Sequence, residues 1–453
     1  MKELLDMQRT HYASGATRRP EVCVEALKKL QISLRKHEAG LLRALEADLG
    51  KSPEEGYMTE LGATYGELRY AIRHARAWLR PRLVPPSMGQ FPGFGRVFRD
   101  PYGVALILSP WNYPALLSLV PVIAAVATGN CAVLRPSSEA PKTAECLDAI
   151  LRESFTPQHV SMVLGDTGVA RRLTALPFDK IFFTGSAAAG REIMAAASQN
   201  LVPVTLELGG KSPVIVAADA DIRLASRRII WAKCLNAGQT CVAPDYVLVQ
   251  KDVESALLEA LRLQIEAQFG SDPLESPDLP PIVNRRHFER LEALLRDGRL
   301  ICGGQADART RKIAPTVLTG IDNQDPVMRE EIFGPILPVL PFLSMEDAIK
   351  SVRSRPAPLA LYLFTADKDA ARHVTRDVAF GGGCVNDCAM HLAGPRLPFG
   401  GVGESGMGAY HGRAGFACFT REKPVFVAST AVDIPLRYAP RKGRLPVLKR
   451  MLS

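Results

Sequence analysis

Three short segments carry side chains that chemistry can use. In Asn236-Ala237-Gly238-Gln239-Thr240-Cys241-Val242-Ala243-Pro244, a single thiol, Cys241, sits in a loop of small residues behind a helical stretch. A lone cysteine there is either an inert core hydrophobe or a nucleophile. In Leu206-Glu207-Leu208-Gly209-Gly210-Lys211, Glu207 interrupts the apolar, β-rich run from Val202 to Val216. A carboxylate is costly to bury in such a run. Glu207 is therefore either half of a structural ion pair with a Lys or Arg, or a general base tuned by partial burial. In Phe183-Thr184-Gly185-Ser186-Ala187-Ala188-Ala189-Gly190, a strongly apolar strand passes directly into a helix. Backbone N–H groups and the helix dipole at such a junction can face an anion. Gly185 permits the tight turn and Gly190 the close packing of helix on sheet, yet an ordinary strand–helix turn fits equally well.

Two look-alikes are set aside. Gly401-Val402-Gly403-Glu404-Ser405-Gly406 has G-x-G-x-x-G spacing but follows Arg396-Leu397-Pro398-Phe399 rather than a strand. Gly210-Lys211-Ser212 imitates the end of a phosphate-binding P-loop, but Thr205 stands where its first glycine belongs.

The elements that must position these segments follow from hydrophobic spacing. Val24, Leu27, Leu30 and Leu34, then Leu41, Leu42, Leu45 and Leu49, predict helix from Pro20 to a stop at Gly50. A second helical stretch runs from Pro53 to Leu79. Residues 84–103, rich in Pro and Gly, read as an irregular ribbon. Short apolar strands then alternate with helical stretches: 104–108, 131–134, 159–164 and 180–184, with a second alternating block from Pro213 to about Phe399. Such alternation predicts an α/β fold with a doubly wound parallel sheet. No charged residue occurs from Pro101 to Leu134, but Pro110, Pro114, Pro121, Asn112, Gly129 and Asn130 interrupt the run. A buried strand, loop and helix fit it better than a membrane span.

Composition narrows the partners. The 453 residues are 47% hydrophobic and 23% charged, which suits two or three globular domains. The nine cysteines include no C-x-x-C pair; they read as reduced thiols in a cytosol, and no metal site is expected. The first twenty residues lack an apolar core, so no secretory signal is expected. The net charge of +9 forms no patch across the body, and no nucleic-acid partner is expected. The exception is the tail, where Arg437, Arg441, Lys442, Arg444, Lys449 and Arg450 cluster. It reads as a solvated end or as a weak peripheral anchor to anionic lipid or an acidic partner.

Six motifs stand in order along the chain: Ser109-Pro110-Trp111-Asn112-Tyr113-Pro114, Phe183-Thr184-Gly185-Ser186, Glu207-Leu208-Gly209-Gly210-Lys211, Gly238-Gln239-Thr240-Cys241, Glu331-Ile332-Phe333-Gly334-Pro335 and Pro398-Phe399-Gly400-Gly401. This succession resembles the aldehyde dehydrogenase superfamily. Cys241-Val242-Ala243-Pro244-Asp245-Tyr246, Val385-Asn386-Asp387 and Gly406-Met407-Gly408-Ala409-Tyr410-His411-Gly412 resemble its class-3 branch. The likeness runs from the first helices to about Phe419.

The resemblance implies NAD(P)-dependent oxidation of medium- to long-chain aliphatic or aromatic aldehydes to acids. Cys241 would form a thiohemiacetal and then a thioester, Asn112 would hold the oxyanion, and Glu207 would activate the hydrolytic water. Trp111, Arg135, Ser138, Thr184, Gly185, Ser186, Gly190, Leu208, Gly209, Glu331 and Phe333 would surround NAD or NADP. Tyr113 and Phe399 are candidates for a tunnel wall or for core. The family's Lys-Pro-Ser-Glu reads Arg135-Pro136-Ser137-Ser138 here, with Glu139 displaced by one. An Arg accommodates a 2′-phosphate where an acid would repel it, so NADP is expected to serve at least as well as NAD.

The expected organisation has helices and a dinucleotide-binding domain over 1–208 and a catalytic domain over 209–399. A β-ribbon for oligomerisation combines 84–101 with 416–428, and a basic tail covers 429–453. The resemblance further implies a homodimer, and the reduced thiols point to a cytoplasmic location. The rival readings are a CoA-acylating dehydrogenase, a cysteine hydrolase or acyltransferase, and a non-catalytic relative.

Overall fold

The computed structural model describes residues 1–452, with side chains through Arg450. Its first sheet has six strands, in the order Gly406–Met407, Val204–Glu207, Lys180–Thr184, Val104–Leu108, Cys131–Arg135 and Val160–Met162. All pairings are parallel except the short returning strand, which sets Gly406 opposite Glu207. Val104–Leu108 and Lys180–Thr184 are buried at every position, as strands covered on both faces must be. The apolar run of Val104–Leu108 and the Ile181-Phe182-Phe183 centre of the other strand made them visible in the sequence at these same boundaries.

The second sheet has seven strands, ordered Arg299–Cys302, Thr316–Thr319, Ile336–Phe342, Tyr246–Gln250, Pro213–Val216, Ala360–Phe364 and Gly382–Val385. Only Arg299–Cys302 runs antiparallel to its neighbour. A third sheet joins Arg82–Val84, Gly93–Pro101 and Thr420–Ala428, all antiparallel. The α/β architecture expected from strand and helix alternation is thus observed. Residues 416–418, placed in the ribbon from sequence, instead complete the helix Gly412–Cys418, and the strand begins at Thr420.

The N-terminal helical pattern divides where the spacing gave no sign. One helix covers Pro20–Lys36 and a second Glu38–Leu49, with His37 between them. The stop at Gly50 is as expected: its φ of 67° is left-handed, and its N–H donates to the Glu46 carbonyl. The next helical stretch contains a π-helical turn at Tyr57–Leu61, on which Glu60 is wholly buried. Such turns are uncommon and often sit at functional sites.

The uncharged run from Pro101 resolves into strand Val104–Leu108, a loop, the fully buried helix Leu116–Ala127 and strand Cys131–Arg135. Among the described residues no helix is long and apolar enough to cross a membrane. The basic tail holds a 3-10 turn, Pro435–Arg437, and a helix, Leu445–Leu452; Ser453 lies outside the described residues.

Candidate active site

Cys241 follows a loop whose backbone is forced into an unusual path. Asn236, Ala237 and Gly238 have φ values of 51°, 51° and 75° in succession. Non-glycine residues in this region cost free energy unless the surroundings over-determine them. Here the surroundings are explicit. Asn236 donates through Nδ2 to the Asn112 carbonyl at 2.9 Å, and its N–H reaches Glu55 Oε1 at 2.6 Å. Gln239 donates through Nε2 to the carbonyls of Asn236 and Pro281, and accepts from Val283 N–H through Oε1. At Gly238 a Cβ would come within 2.3 Å of the Gly334 carbonyl oxygen, so only glycine fits.

Asn112 belongs to the same lock. Its Nδ2 donates to the Gln239 carbonyl at 3.1 Å, which leaves the second N–H of that amide available. Its own carbonyl accepts from Lys51 Nζ at 2.8 Å. Lys51 in turn pairs with Glu60 at 2.7 Å, with both side chains fully buried. Glu60 Oε2 accepts the N–H groups of Ala115 and Leu116, where the helix Leu116–Ala127 starts. Tyr113 lies 3.9 Å beneath the Lys51 ammonium and shares a 2.6 Å hydrogen bond with Thr240. Its job is scaffolding of the thiol loop. Phe399 is likewise buried, edge-on to Tyr410.

Burial pushes the Cys241 thiol up to about 12, and the carboxyls of Glu331 and Glu207 add to the rise. The N–H groups of Cys241 and Val242 act in the opposite direction, favouring the thiolate. Glu207 ends its strand beside them, 1% exposed, with no partner for either carboxyl oxygen. Burial holds its carboxyl well above the ordinary carboxylate range. The structural ion pair considered from sequence is not formed: Lys211 pairs with Asp245 instead. Among the described residues no histidine bonds to Cys241; His391 lies against Cys384 and His411 against Glu67.

Around this centre lies a cradle. Ser186 caps the helix Ala187–Ser198 by accepting from Ala189 N–H. Gly185 donates to the Glu207 carbonyl at 3.0 Å, while the Phe183 ring occupies the space a Cβ would need. Gly190 lets the helix rest on Leu208, whose N–H donates to the Ser405 carbonyl. Thr184 Oγ1 is buried without a partner. The Glu331 carboxylate accepts from Gly210 N–H and fills the position a Gly209 side chain would take. Burial and Asp245 push Glu331 up to about 8. Trp111 stands edge-on to Phe333, whose φ is 52°. Arg135 is half-buried and donates to the Gly165 carbonyl at 2.8 Å, its Nε being buried and unpartnered. Ser138 is exposed, and Glu139 accepts from Asn284 Nδ2 at 2.9 Å.

Several supports escaped the sequence reading. Lys211 donates to the carbonyls of Val327 and Glu330, and Asp245 accepts from Ile332 N–H at 2.8 Å. Arg290 donates to the carbonyls of Glu331 and Ile332. Together they pin the loop that carries Glu331. Lys51, Glu60 and Gln239 do the same for the thiol loop. The charged members fall in buried or half-buried places, which is a signal only once burial is known.

Comparison with known proteins agrees with this geometry. The sequence profile of the aldehyde dehydrogenase family matches residues 11–425. The chain is 43% identical over 427 residues to 4,4′-diaponeurosporen-aldehyde dehydrogenase of Staphylococcus aureus, covering 94% of this chain and 93% of that one. It is 42% identical over 451 residues to aldehyde dehydrogenase family 3 member H1 of Arabidopsis thaliana, covering 98% and 93%. A structure of the substrate-bound state of Staphylococcus aureus AldH superimposes with a TM-score of 0.98 at 40% identity, covering 100% and 99%.

Proposed function

Because the chain belongs to the aldehyde dehydrogenase family, and so oxidises aldehydes with NAD or NADP, we propose that Cys241 is its nucleophile, Asn112 its oxyanion donor and Glu207 its hydrolytic base. The observation that carries the assignment is the partnerless, buried Glu207 carboxyl beside a thiol whose loop is locked through Asn112.

The chemistry follows from the groups present. Cys241 gives up its proton to solvent water, aided by the N–H groups that favour the thiolate. Its thiolate attacks the aldehyde carbon: a C–S bond forms and the carbonyl π electrons move onto oxygen. That oxyanion accepts from the second N–H of Asn112 Nδ2 and from the Cys241 backbone. The bound dinucleotide's contribution is hydride acceptance, which leaves an acyl thioester on Cys241. Glu207 then takes a proton from water as the water oxygen attacks the thioester. The C–S bond breaks, the thiolate returns and the acid leaves. The position of Glu207 favours hydrolysis over transfer to CoA, and the lack of a histidine at Cys241 disfavours a hydrolase.

The residues of the cradle fit a dinucleotide. The orphaned Thr184 hydroxyl and the capped helix after Ser186 suit phosphate and ribose oxygens, while Gly185 and Gly209 make room for Phe183 and Glu331 beside them. Glu331 can accept from the ribose hydroxyls near the nicotinamide, with Trp111 and Phe333 flanking. For the adenosine end, Glu139 is engaged by Asn284, and Ser138 stands exposed where an acid would repel a 2′-phosphate. This supports use of NADP at least equal to that of NAD.

The substrates are medium- to long-chain or aromatic aldehydes, as the class-3 resemblance implies; the Staphylococcus aureus relative is named for 4,4′-diaponeurosporen-aldehyde. The functional unit is a homodimer. The strand Thr420–Ala428 is exposed at every position after Thr420, and Phe94, Val425, Phe426 and Val427 leave apolar surface on the same sheet. Nine unpaired thiols support a cytoplasmic location. The test of the catalytic assignment is Cys241→Ala, which should abolish aldehyde oxidation while cofactor still binds. Turnover within about tenfold of wild type would refute it.

A further inference from the structure

The cation expected at the adenosine end of the cradle is engaged elsewhere. Arg135 is half-buried, its guanidinium donates to the Gly165 carbonyl at 2.8 Å, and its Nε is buried without a partner. Glu139 stands exposed next to Ser138, where a free carboxylate would repel a 2′-phosphate. Both deficits are met by one helix on the side of the second sheet, Arg285–Leu294, whose Phe288 and Leu291 pack into the core of that sheet.

Four contacts tie this helix to the site. Just ahead of it, Val283 N–H donates to Gln239 Oε1 in the thiol loop at 2.9 Å. Asn284 caps it by accepting from His287 N–H, and donates through Nδ2 to Glu139 Oε2 at 2.9 Å. The rings of His287 and Trp111 are 5.8 Å apart. Arg290 donates to the carbonyls of Glu331 and Ile332. Asn284 thus marks the adenosine end and Arg290 the nicotinamide end, about 9 Å further along the axis at about 1.5 Å per residue. The helix lies lengthwise beside the cradle. At about 100° per residue, Arg286, His287 and Arg290 share one stripe of its surface. Arg285 pairs with Glu289 at 2.8 Å and Arg290 holds its two carbonyls. Arg286 is exposed and, among the described residues, makes no hydrogen bond or ion pair. Its charge does reach the cradle: burial, then Arg290 and Arg286, hold the His287 imidazole below its ordinary value. A guanidinium left open two residues beyond the Glu139 contact presents a fork suited to phosphate oxygens.

We propose, resting on the use of NADP inferred above, that Arg286 and Asn284 set the cofactor preference of this enzyme. Arg286 pairs with the 2′-phosphate, and the Asn284 amide holds the Glu139 carboxylate away from it. Glu139 is therefore an acid neutralised in effect by an amide from a different part of the fold. Its displacement by one position from the family pattern is what brings it within reach of Asn284.

Isothermal titration of the full-length protein reads binding without turnover. The ligands are 2′,5′-ADP and 5′-AMP, which differ only in the 2′-phosphate, together with NADP and NAD. Wild type should bind 2′,5′-ADP about tenfold more tightly than 5′-AMP at about 50 mM salt, and lose most of that margin at about 500 mM. Arg286→Gln should weaken 2′,5′-ADP and NADP by about tenfold and leave 5′-AMP and NAD within about twofold. Asn284→Ser keeps a capping hydroxyl but is too short to hold Glu139. It should weaken 2′,5′-ADP and NADP by about fivefold, and Asn284→Ser/Glu139→Gln should bring both back to within about twofold of wild type. An Arg286→Gln protein that binds NADP like wild type, or that loses NAD and NADP equally, would overturn the proposal while the use of NADP stands. So would an Asn284→Ser protein that Glu139→Gln does not rescue. A wild type that binds NAD but not NADP would overturn the cofactor reading itself, and this proposal with it.

Discussion

Lys51 has no place in the chemistry, yet removing it should be felt in both stability and turnover. Its ammonium and the Glu60 carboxylate meet at 2.7 Å with neither side chain exposed. Lys51→Met removes one charge and leaves Glu60 buried. Stranding a buried partner costs about 3–5 kcal/mol. Glu60 still accepts two backbone N–H groups, from Ala115 and Leu116, which argues for the lower end, about 3 kcal/mol. An unfolding entropy of about 2.1 cal/mol/K per residue gives roughly 1 kcal/mol/K over this length, so Tm should fall by about 3 °C. Glu60→Gln strands the ammonium and should cost about as much. Lys51→Met/Glu60→Gln buries no charge and should be less destabilised than either single variant. Because Lys51 also holds the Asn112 carbonyl at 2.8 Å, Lys51→Met should lower kcat by about tenfold with KM nearly unchanged. Thermal melts of the three variants, with steady-state kinetics on Lys51→Met, supply the cycle. Single variants within about 0.5 kcal/mol of wild type, or losses that simply add, would refute the reasoning.

Two further expectations concern the thiol and the cofactor. With the thiol pushed up to about 12, the thiolate fraction of Cys241 in the cofactor-free enzyme grows tenfold per pH unit below that value. Inactivation by iodoacetamide should therefore accelerate log-linearly from about pH 7 to 9 without levelling, and a plateau below pH 8 would contradict the burial argument. Ser138→Glu should shift kcat/KM toward NAD over NADP by about tenfold or more, since a new carboxylate repels the 2′-phosphate by about 1.4 kcal/mol; a wild type preferring NAD a hundredfold would show that Glu139 decides the site despite its bond to Asn284.

Much of this architecture was legible because it is written locally. The strand at 104–108 is an unbroken apolar run, that at 180–184 is built on Ile181-Phe182-Phe183, and Gly50, with its left-handed φ, marks a helix end in the sequence as in space. Cys241, Glu207 and Asn112 could be singled out from segment context and family likeness. What escaped is tertiary. Nothing local pairs Lys51 with Glu60 beneath Asn112, or sets Lys211 and Asp245 to hold the loop of Glu331. The Gly401–Gly406 segment looked like a phosphate loop, but it delivers Gly406 to the edge of the first sheet, opposite Glu207. The break at His37 lacks a Gly or Pro. The order of the basic tail depends on a cleft built partly by residues 88–92, far away in sequence.

The division of labour between Cys241 and Glu207 is tested most directly by a rapid-mix experiment on Glu207→Gln. A base needed only for hydrolysis is dispensable before the thioester forms. The variant should release a burst of about one equivalent of reduced cofactor per site, then turn over slowly. Intact-mass analysis at that point should find the acyl group on Cys241. A variant slow from its first turnover, with Cys241 unmodified, would contradict this and give Glu207 the activation of the thiol instead.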